Sequence, residues 1–276
     1  MNYIEVEFSL EPLLPAREVL IYELAELEYE SFVNTAKGIK AYIQKVDFDE
    51  DAFEDLHTWK MGGLNFTYRV REIEQINWNK KWEEEFNPVL FGEHCLIRAP
   101  FHAPAEGKIM DVIIAPKMSF GTGHHPTTYL MVDQLFQLSL EGKDVLDMGC
   151  GTAILAIIAK KRGAQRVWGI DIEDFAYENA VENVKLNDTE DIIVYKGGVG
   201  QIENESFHVI LANINRNVLM EDMDAYVRAL KQGGRLYLSG FYTTDIDILS
   251  HQAIKLGLVF EEKKEREGWA LLSFKK

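Results

Sequence analysis

The residues best suited to chemistry sit in one stretch, Val145-Leu146-Asp147-Met148-Gly149-Cys150-Gly151-Thr152-Ala153. An apolar run enters Gly-x-Gly, and an apolar run of helical character leaves it. Bare backbone at Gly149 and Gly151 allows a tight turn and lets a ligand approach without meeting a Cβ. The dinucleotide fingerprint asks for a third glycine at position 154, which is Ile154 here. A pyrophosphate site is therefore disfavoured. By itself, Gly-x-Gly serves a plain turn as readily as a cofactor loop. The run Val167-Trp168-Gly169-Ile170-Asp171 tips the balance. Its carboxylate comes about 20 residues after the loop, where doubly wound folds hold a ribose diol. The competing role for Asp171 is a helix N-cap, for which Asp174 is better placed, nearer the helix start.

Glycine loop and acidic strand end together predict a nucleoside-bearing cofactor. Two aspartates, Asp147 and Asp171, are expected in one crevice, which would burden an anion and tolerate a cation. S-adenosyl-L-methionine carries adenosine and a sulfonium with no phosphate, so the methyl donor fits best. Two further segments bear on this. Phe120-Gly121-Thr122-Gly123-His124-His125-Pro126-Thr127-Thr128 is a glycine-rich turn entering a helix, and its two threonines could cap that helix or touch a ligand. Adjacent histidines point apart and no carboxylate follows at ligand spacing, so His124 and His125 are expected to pack the loop rather than bind metal. Val209-Ile210-Leu211-Ala212-Asn213 ends a strand in an amide. Asn213 is either the N-cap of the next helix or an acceptor aimed at an incoming amine.

The elements that must position these groups follow from hydrophobic period. Strands are expected over Cys95–Arg98, Ile109–Ala115, Lys143–Met148, Arg166–Asp171, Ile192–Lys196, His208–Ala212 and Arg235–Phe241. Helices alternate with most of them, over Thr127–Leu140, Ala153–Arg162, Phe175–Asn187, Asn217–Leu230 and Asp245–Leu256. That alternation implies an α/β fold with a doubly wound parallel sheet, closed by an antiparallel hairpin from Leu258–Lys263 and Trp269–Phe274. Upstream, strands over Tyr3–Phe8, Tyr29–Val33, Ile39–Val46 and Leu64–Ile76 flank helices over Pro12–Leu27 and Phe48–Lys60. These predict a small α+β domain over residues 1–76, each helix covering one sheet face. A linker over 77–88 follows, where Trp78 and Trp82 would share one face of a helix. The second domain is expected over 89–276.

Composition bounds the partners. The 276 residues carry 29 Lys+Arg against 45 Asp+Glu, a net charge of −16. Such a surplus repels a phosphate backbone and favours a basic protein. Two cysteines, Cys95 and Cys150, are too few for a disulfide framework or a four-thiolate zinc site. Met1–Glu7 has no basic start followed by an apolar run, so no signal peptide is expected, and the longest apolar run, Ala153–Ala159, is far short of the roughly 20 residues that span a bilayer. A cytoplasmic, soluble protein is expected.

Taken together, the stretches WNKKW, FGTGHHPTT, VLDMGCGTAILAI, GIDI and LANI resemble the PrmA family, which trimethylates the eleventh protein of the large ribosomal subunit. They occur in the family's order and spacing, and the resemblance covers essentially the whole chain, the first domain in architecture only. It implies a Rossmann-like S-adenosylmethionine-dependent methyltransferase domain preceded by a substrate-recognition domain that swings on the linker. Carried over by motif, the cofactor contacts fall on Thr128, Gly149, Asp171 and Asn213, with Gly151 joining from the loop itself. The implied activity is protein N-methylation of lysine side chains and an N-terminal α-amine, on the free ribosomal protein, without nucleic acid, membrane or metal. The alternative is another protein or a small-molecule amine as acceptor. A nicotinamide oxidoreductase or a non-catalytic binding module ranks lower. One departure is Ala153, where the family often has glycine; the loop is expected to tolerate its methyl group.

Overall fold

The computed structural model describes residues 2–73, 83, 86–107 and 109–276. The chain divides into two compact units, 1–85 and 86–276, a boundary inside the span expected as linker. The expected Trp78–Trp82 pairing lies outside the described residues.

In the first unit, β1 (Tyr3–Glu11), α1 (Ala16–Glu26), β2 (Ser31–Thr35), β3 (Gly38–Gln44) and β4 (Asn65–Ile73) succeed one another. The strands form an antiparallel sheet in the order β2-β3-β1-β4. Strict alternation along β1 turns Ile4, Val6, Phe8 and Leu10 to one buried face, where α1 lays Ala16, Leu20 and Leu24. The helix expected over Phe48–Lys60 is instead two 3-10 turns, Asp51–Asp55 and His57–Lys60, broken by an extended Leu56. Glu23 of α1 supplies the reason. Its carboxylate accepts from the backbone N–H groups of His57 and Thr58 and from the Thr58 hydroxyl, taking donors a continuous helix would have used itself. Phe53 and Leu56 join the same buried cluster as α1. Both covering segments therefore lie on one face, not one on each. The opposite face carries Glu5, which accepts from Lys40 and Tyr42.

The second unit opens with a three-stranded sheet of β5 (Val89–Phe91), β6 (Cys95–Arg98) and β7 (Met110–Ile113). Strand β5 was not expected; three residues are too few to show a period. Then follow α2 (Pro126–Gln137), β8 (Asp144–Met148), α3 (Ile154–Lys161), β9 (Arg166–Asp171), α4 (Asp174–Leu186) and β10 (Ile193–Lys196). The chain continues through β11 (Phe207–Asn213), α5 (Arg216–Ala229), β12 (Leu230–Tyr242), α6 (Ile246–Lys255), β13 (Val259–Arg266) and β14 (Trp269–Lys275). Seven strands form one sheet in the order β10-β9-β8-β11-β12-β14-β13. The first five run parallel, and β14 is antiparallel to both its neighbours. The closing hairpin turns through Glu267 and Gly268, both at positive φ, the backbone a two-residue turn requires to match strand twist.

Both sheet faces are buried, so each strand feeds two cores. Val145, Val167, Val209 and Leu211 point to the side of α2, α3 and α4. Leu146, Ile170, Ile210 and Ala212 point to the side of α5 and α6. The order reverses between β8 and β11, because the chain winds outward through β9 and β10 before returning to β11. In open α/β sheets a ligand crevice forms at that reversal, beyond the carboxyl ends of the strands.

Buried asparagines along one face of α4, the last of them its C-cap Asn187, hold the segment that leads into this crevice. Asn187 accepts from Ile113 N–H at 2.9 Å and donates to Ile113 O at 2.6 Å. Asn183 accepts from Ala115 N–H at 2.8 Å and donates to Thr152 O at 3.0 Å. Asn179 donates to Ala115 O at 3.2 Å. Side-chain amides at i, i+4 and i+8 thus take the place of a further strand along residues 113–115, and tie them to the glycine loop.

Candidate active site

A cavity of about 530 Å³ opens at the strand reversal, a size that suits a small-molecule cofactor. Gly149, Gly151, Asp171 and Asn213 all line it. Each owes its position to a local contact. Gly149 and Gly151 adopt φ of +68° and +54°, which L side chains rarely take. A Cβ on Gly149 would stand 2.1 Å from Ile214 Cγ2, and one on Gly151 would stand 2.3 Å from Phe120 O. The glycines are needed for the protein's own close packing, where the sequence suggested ligand approach. The Phe120 loop is laced to the glycine loop by Thr152 N–H to Phe120 O at 3.0 Å and Thr152 hydroxyl to Gly121 O at 2.7 Å.

Asp171, at the end of β9, accepts from Gly151 N–H at 2.8 Å and from Glu173 N–H at 3.1 Å. Each carboxylate oxygen keeps a lone pair for a further donor. The expected cap at Asp174 is not found. Glu173 takes the N-cap position of α4 without a side-chain bond, and Asp174 pairs with Lys196. Asn213 is freed in a similar way. Asn215 caps α5, its side chain accepting from Val218 N–H at 3.2 Å, so the capping alternative for Asn213 falls away. Its Oδ1 is buried and has no hydrogen-bond partner.

Two expectations need correction. Asp147 does not share the crevice: it is 1% exposed and does not line the cavity. Side chains alternate along β8, so Asp147 follows Val145 to the α3 side. There its Oδ2 accepts from Ala156 N–H at 3.1 Å. That bond caps α3, whose own N-cap residue, Ala153, sits at φ +62° and makes no side-chain cap. Burial, with the nearby Asp171 charge adding to it, pushes the Asp147 carboxyl up to about 7. The threonines do not cap α2 either. His125 does, its Nδ1 accepting from Thr127 N–H at 3.3 Å. Thr127 lines the cavity. Thr128, the residue carried over by motif, is wholly buried, does not line the cavity, and has an unpartnered hydroxyl.

Several lining residues escaped the sequence reading. His125 packs edge-on against Phe120 and Trp269, at 5.0 and 4.6 Å between ring centres, and burial lowers its pKa. Val218 and Asp222 reach the cavity from α5, and Ile172 and Phe175 from the far side of Asp171. The lining holds three carboxylates, Asp171, Glu173 and Asp222, and neither lysine nor arginine. That balance suits a cation. No group of three or more His, Cys, Asp or Glu among the described residues is placed to hold a metal. Nor is any described helix long and apolar enough to cross a membrane.

The parallel sheet, the glycine loop and the anionic cavity at its reversal define a Rossmann-like methyltransferase whose donor is S-adenosylmethionine. Comparison with known proteins narrows the class. The family model described as "Ribosomal protein L11 methyltransferase (PrmA)" matches residues 10–276, and the chain belongs to that family. The ribosomal protein L11 methyltransferase of Porphyromonas gingivalis is 44% identical, over 99% of this chain and 98% of its own. That of Bacteroides thetaiotaomicron is 40% identical over 99% of both. A crystal structure of ribosomal protein L11 methylase from Lactobacillus delbrueckii subsp. bulgaricus superposes with a TM-score of 0.64 at 25% identity, covering 68% of this chain and 98% of that one.

Proposed function

We propose that this protein transfers methyl groups from S-adenosylmethionine to amines of ribosomal protein L11, both lysine side chains and the N-terminal α-amine. The observation that carries the reading is the buried, unpartnered Asn213 Oδ1 in the cavity. The protein's own groups leave this acceptor to a donor that enters the cavity, as a bound ligand would supply. Cofactor contact is assigned to Gly149, Gly151, Asp171 and Asn213, which line the cavity, and not to Thr128, which is buried outside its lining. Asp171 would accept from the ribose diol.

When bound, the donor would supply a methyl group on a sulfonium, a carbon open to in-line attack by a neutral amine with the sulfur leaving as a neutral thioether. The chain's task is to present that amine. A lysine of pKa near 10.4 is about three units from neutrality at pH 7.5, a cost of roughly 4 kcal/mol, whereas an α-amine near 8 costs less than about 1 kcal/mol. The cavity's apolar walls, Met118, Phe120, Phe175 and Trp269 among them, would desolvate the ammonium and reduce that cost. Asn213 would then accept from the amine and direct its lone pair at the methyl carbon. Proximity, alignment and desolvation carry the rate, and the proton leaves to water.

The first unit would recognise the substrate. A net charge of −16 favours a basic protein, met in the cytoplasm before assembly into the ribosome, over direct contact with nucleic acid. The test is transfer of labelled methyl groups to free L11, to assembled large subunits and to small amines, with sites located by mass spectrometry. Label on lysines and the α-amine of free L11 is the expected result. Label confined to a small amine or another protein would overturn the assignment.

A further inference from the structure

We propose that Asp222 reads the 6-amino group of the cofactor's purine, making it the residue that selects adenine. The inference rests on the S-adenosylmethionine reading and locates the base within the same cavity. With the ribose at Asp171 and the sulfur end at Asn213, as proposed above, the base would lie on the other side of Asp171, toward β10. Gly197 and Gly198 follow β10 and line the cavity there. Gly198 has open space where a Cβ would stand, which leaves room for a flat ring. The 3-10 turn Val199–Ile202 comes next, and its Ile202 is buried in one cluster with Leu219, Met223 and Tyr226 of α5. That packing brings α5 against the β10 end. Val218 and Asp222, one helical turn apart, both face the cavity from it.

Ile172, Gly198 and Val218 bring no polar side chain to the cavity, as the faces of a purine require, and Asp222, one turn beyond Val218, brings a carboxylate. One oxygen of that carboxylate accepts from the Tyr226 hydroxyl at 3.3 Å. Burial raises its pKa, and no cation is among the groups acting on it. A partly buried carboxylate with a free oxygen asks for a neutral donor, and the 6-amino group of adenine is one. A base with a carbonyl at that position would set oxygen against oxygen, a penalty that discriminates more sharply than a lost contact.

Calorimetry with S-adenosylhomocysteine and S-inosylhomocysteine, which differ at that one substituent, tests the assignment without turnover. Wild type should bind the adenine ligand at least about tenfold tighter. Asp222→Leu should bind the two within about threefold. In the near-isosteric Asp222→Asn the preference should narrow or reverse, because a side-chain amide can donate to the 6-oxo group. A wild-type preference carried unchanged into Asp222→Leu and Asp222→Asn would overturn the proposal and leave the cofactor reading intact. So would an equal loss for both ligands, the mark of a structural role. Failure of wild type to bind S-adenosylhomocysteine at all would overturn both.

Discussion

Asp147 and Asp171 belong to neighbouring parallel strands and point to the same side of the sheet, yet one lies beneath the cavity and the other at its edge. Beneath it, the protein answers its own needs: Asp147 caps α3 and Asn183 ties Thr152 to residue 115, while Gly151, though it lines the cavity, makes room for the Phe120 carbonyl. At the edge, acceptors are left over. Asp171 holds two backbone N–H groups and still lines the opening, and Asn213 Oδ1 has no partner. The difference separates two kinds of experiment. Changes beneath should register as stability, and changes at the edge as binding or turnover.

The sharpest way to break this division is Gly151→Ala. The new Cβ would meet a backbone carbonyl at 2.3 Å, in a residue at φ +54°. Left-handed strain and overpacking together should cost about 3 kcal/mol or more. Urea denaturation should show a clearly lower midpoint; an unchanged midpoint would mean that this loop is not fixed by packing. Asp147 should register through pH. Its carboxyl rises from 3.8 to about 7 in the folded protein, so the folded state holds the proton more tightly. The stability it contributes is fully present below about pH 4 and is lost as pH rises towards 7, a change of a few kcal/mol. Stability of wild type minus that of Asp147→Asn should therefore fall across this window. A flat difference would show the group to be ionised throughout.

The edge predictions are smaller in energy and different in kind. Asn213→Ala should lower turnover about 10- to 100-fold, the loss of one hydrogen bond to a reacting group. Donor affinity should change by less, and the denaturation midpoint should stay in place. A larger loss in donor affinity than in turnover would remove Asn213 from the acceptor role. Asp171→Ala is the mixed case. It should weaken donor binding by about 1–3 kcal/mol, and it also releases the Gly151 and Glu173 N–H groups, so a modest fall in stability should accompany it.

The same contrast marks how far the sequence could be read. Gly149, Gly151, Asp171 and Asn213 are legible because they lie at strand ends in short, regular motifs. Asp147 is misplaced because both faces of β8 are buried: with Val145 and Leu146 equally apolar, nothing in the pattern says which face the next residue joins. His125, Trp269, Val218 and Asp222 reach the cavity from elements remote in sequence, so only the sheet order assembles them. The helix expected over Phe48–Lys60 fails for a related reason: Glu23, far upstream, takes its backbone donors. Local period reports propensity, and a tertiary acceptor overrides it.

The smallest effect belongs to Ala153, two residues beyond Gly151. It too adopts positive φ, +62°, but it is wholly buried and does not line the cavity. Ala153→Gly removes about 1–2 kcal/mol of left-handed strain. Against that stand a freer unfolded chain, worth about 0.4–1 kcal/mol, and a lost buried methyl group, worth about 0.8 kcal/mol. The terms nearly cancel. Stability should move by no more than about 1 kcal/mol, with donor affinity unchanged, so two positions of like backbone conformation should respond very differently to the exchange of glycine and alanine. A shift beyond about 2 kcal/mol would show that the Ala153 methyl group packs α3 far more tightly than its size implies.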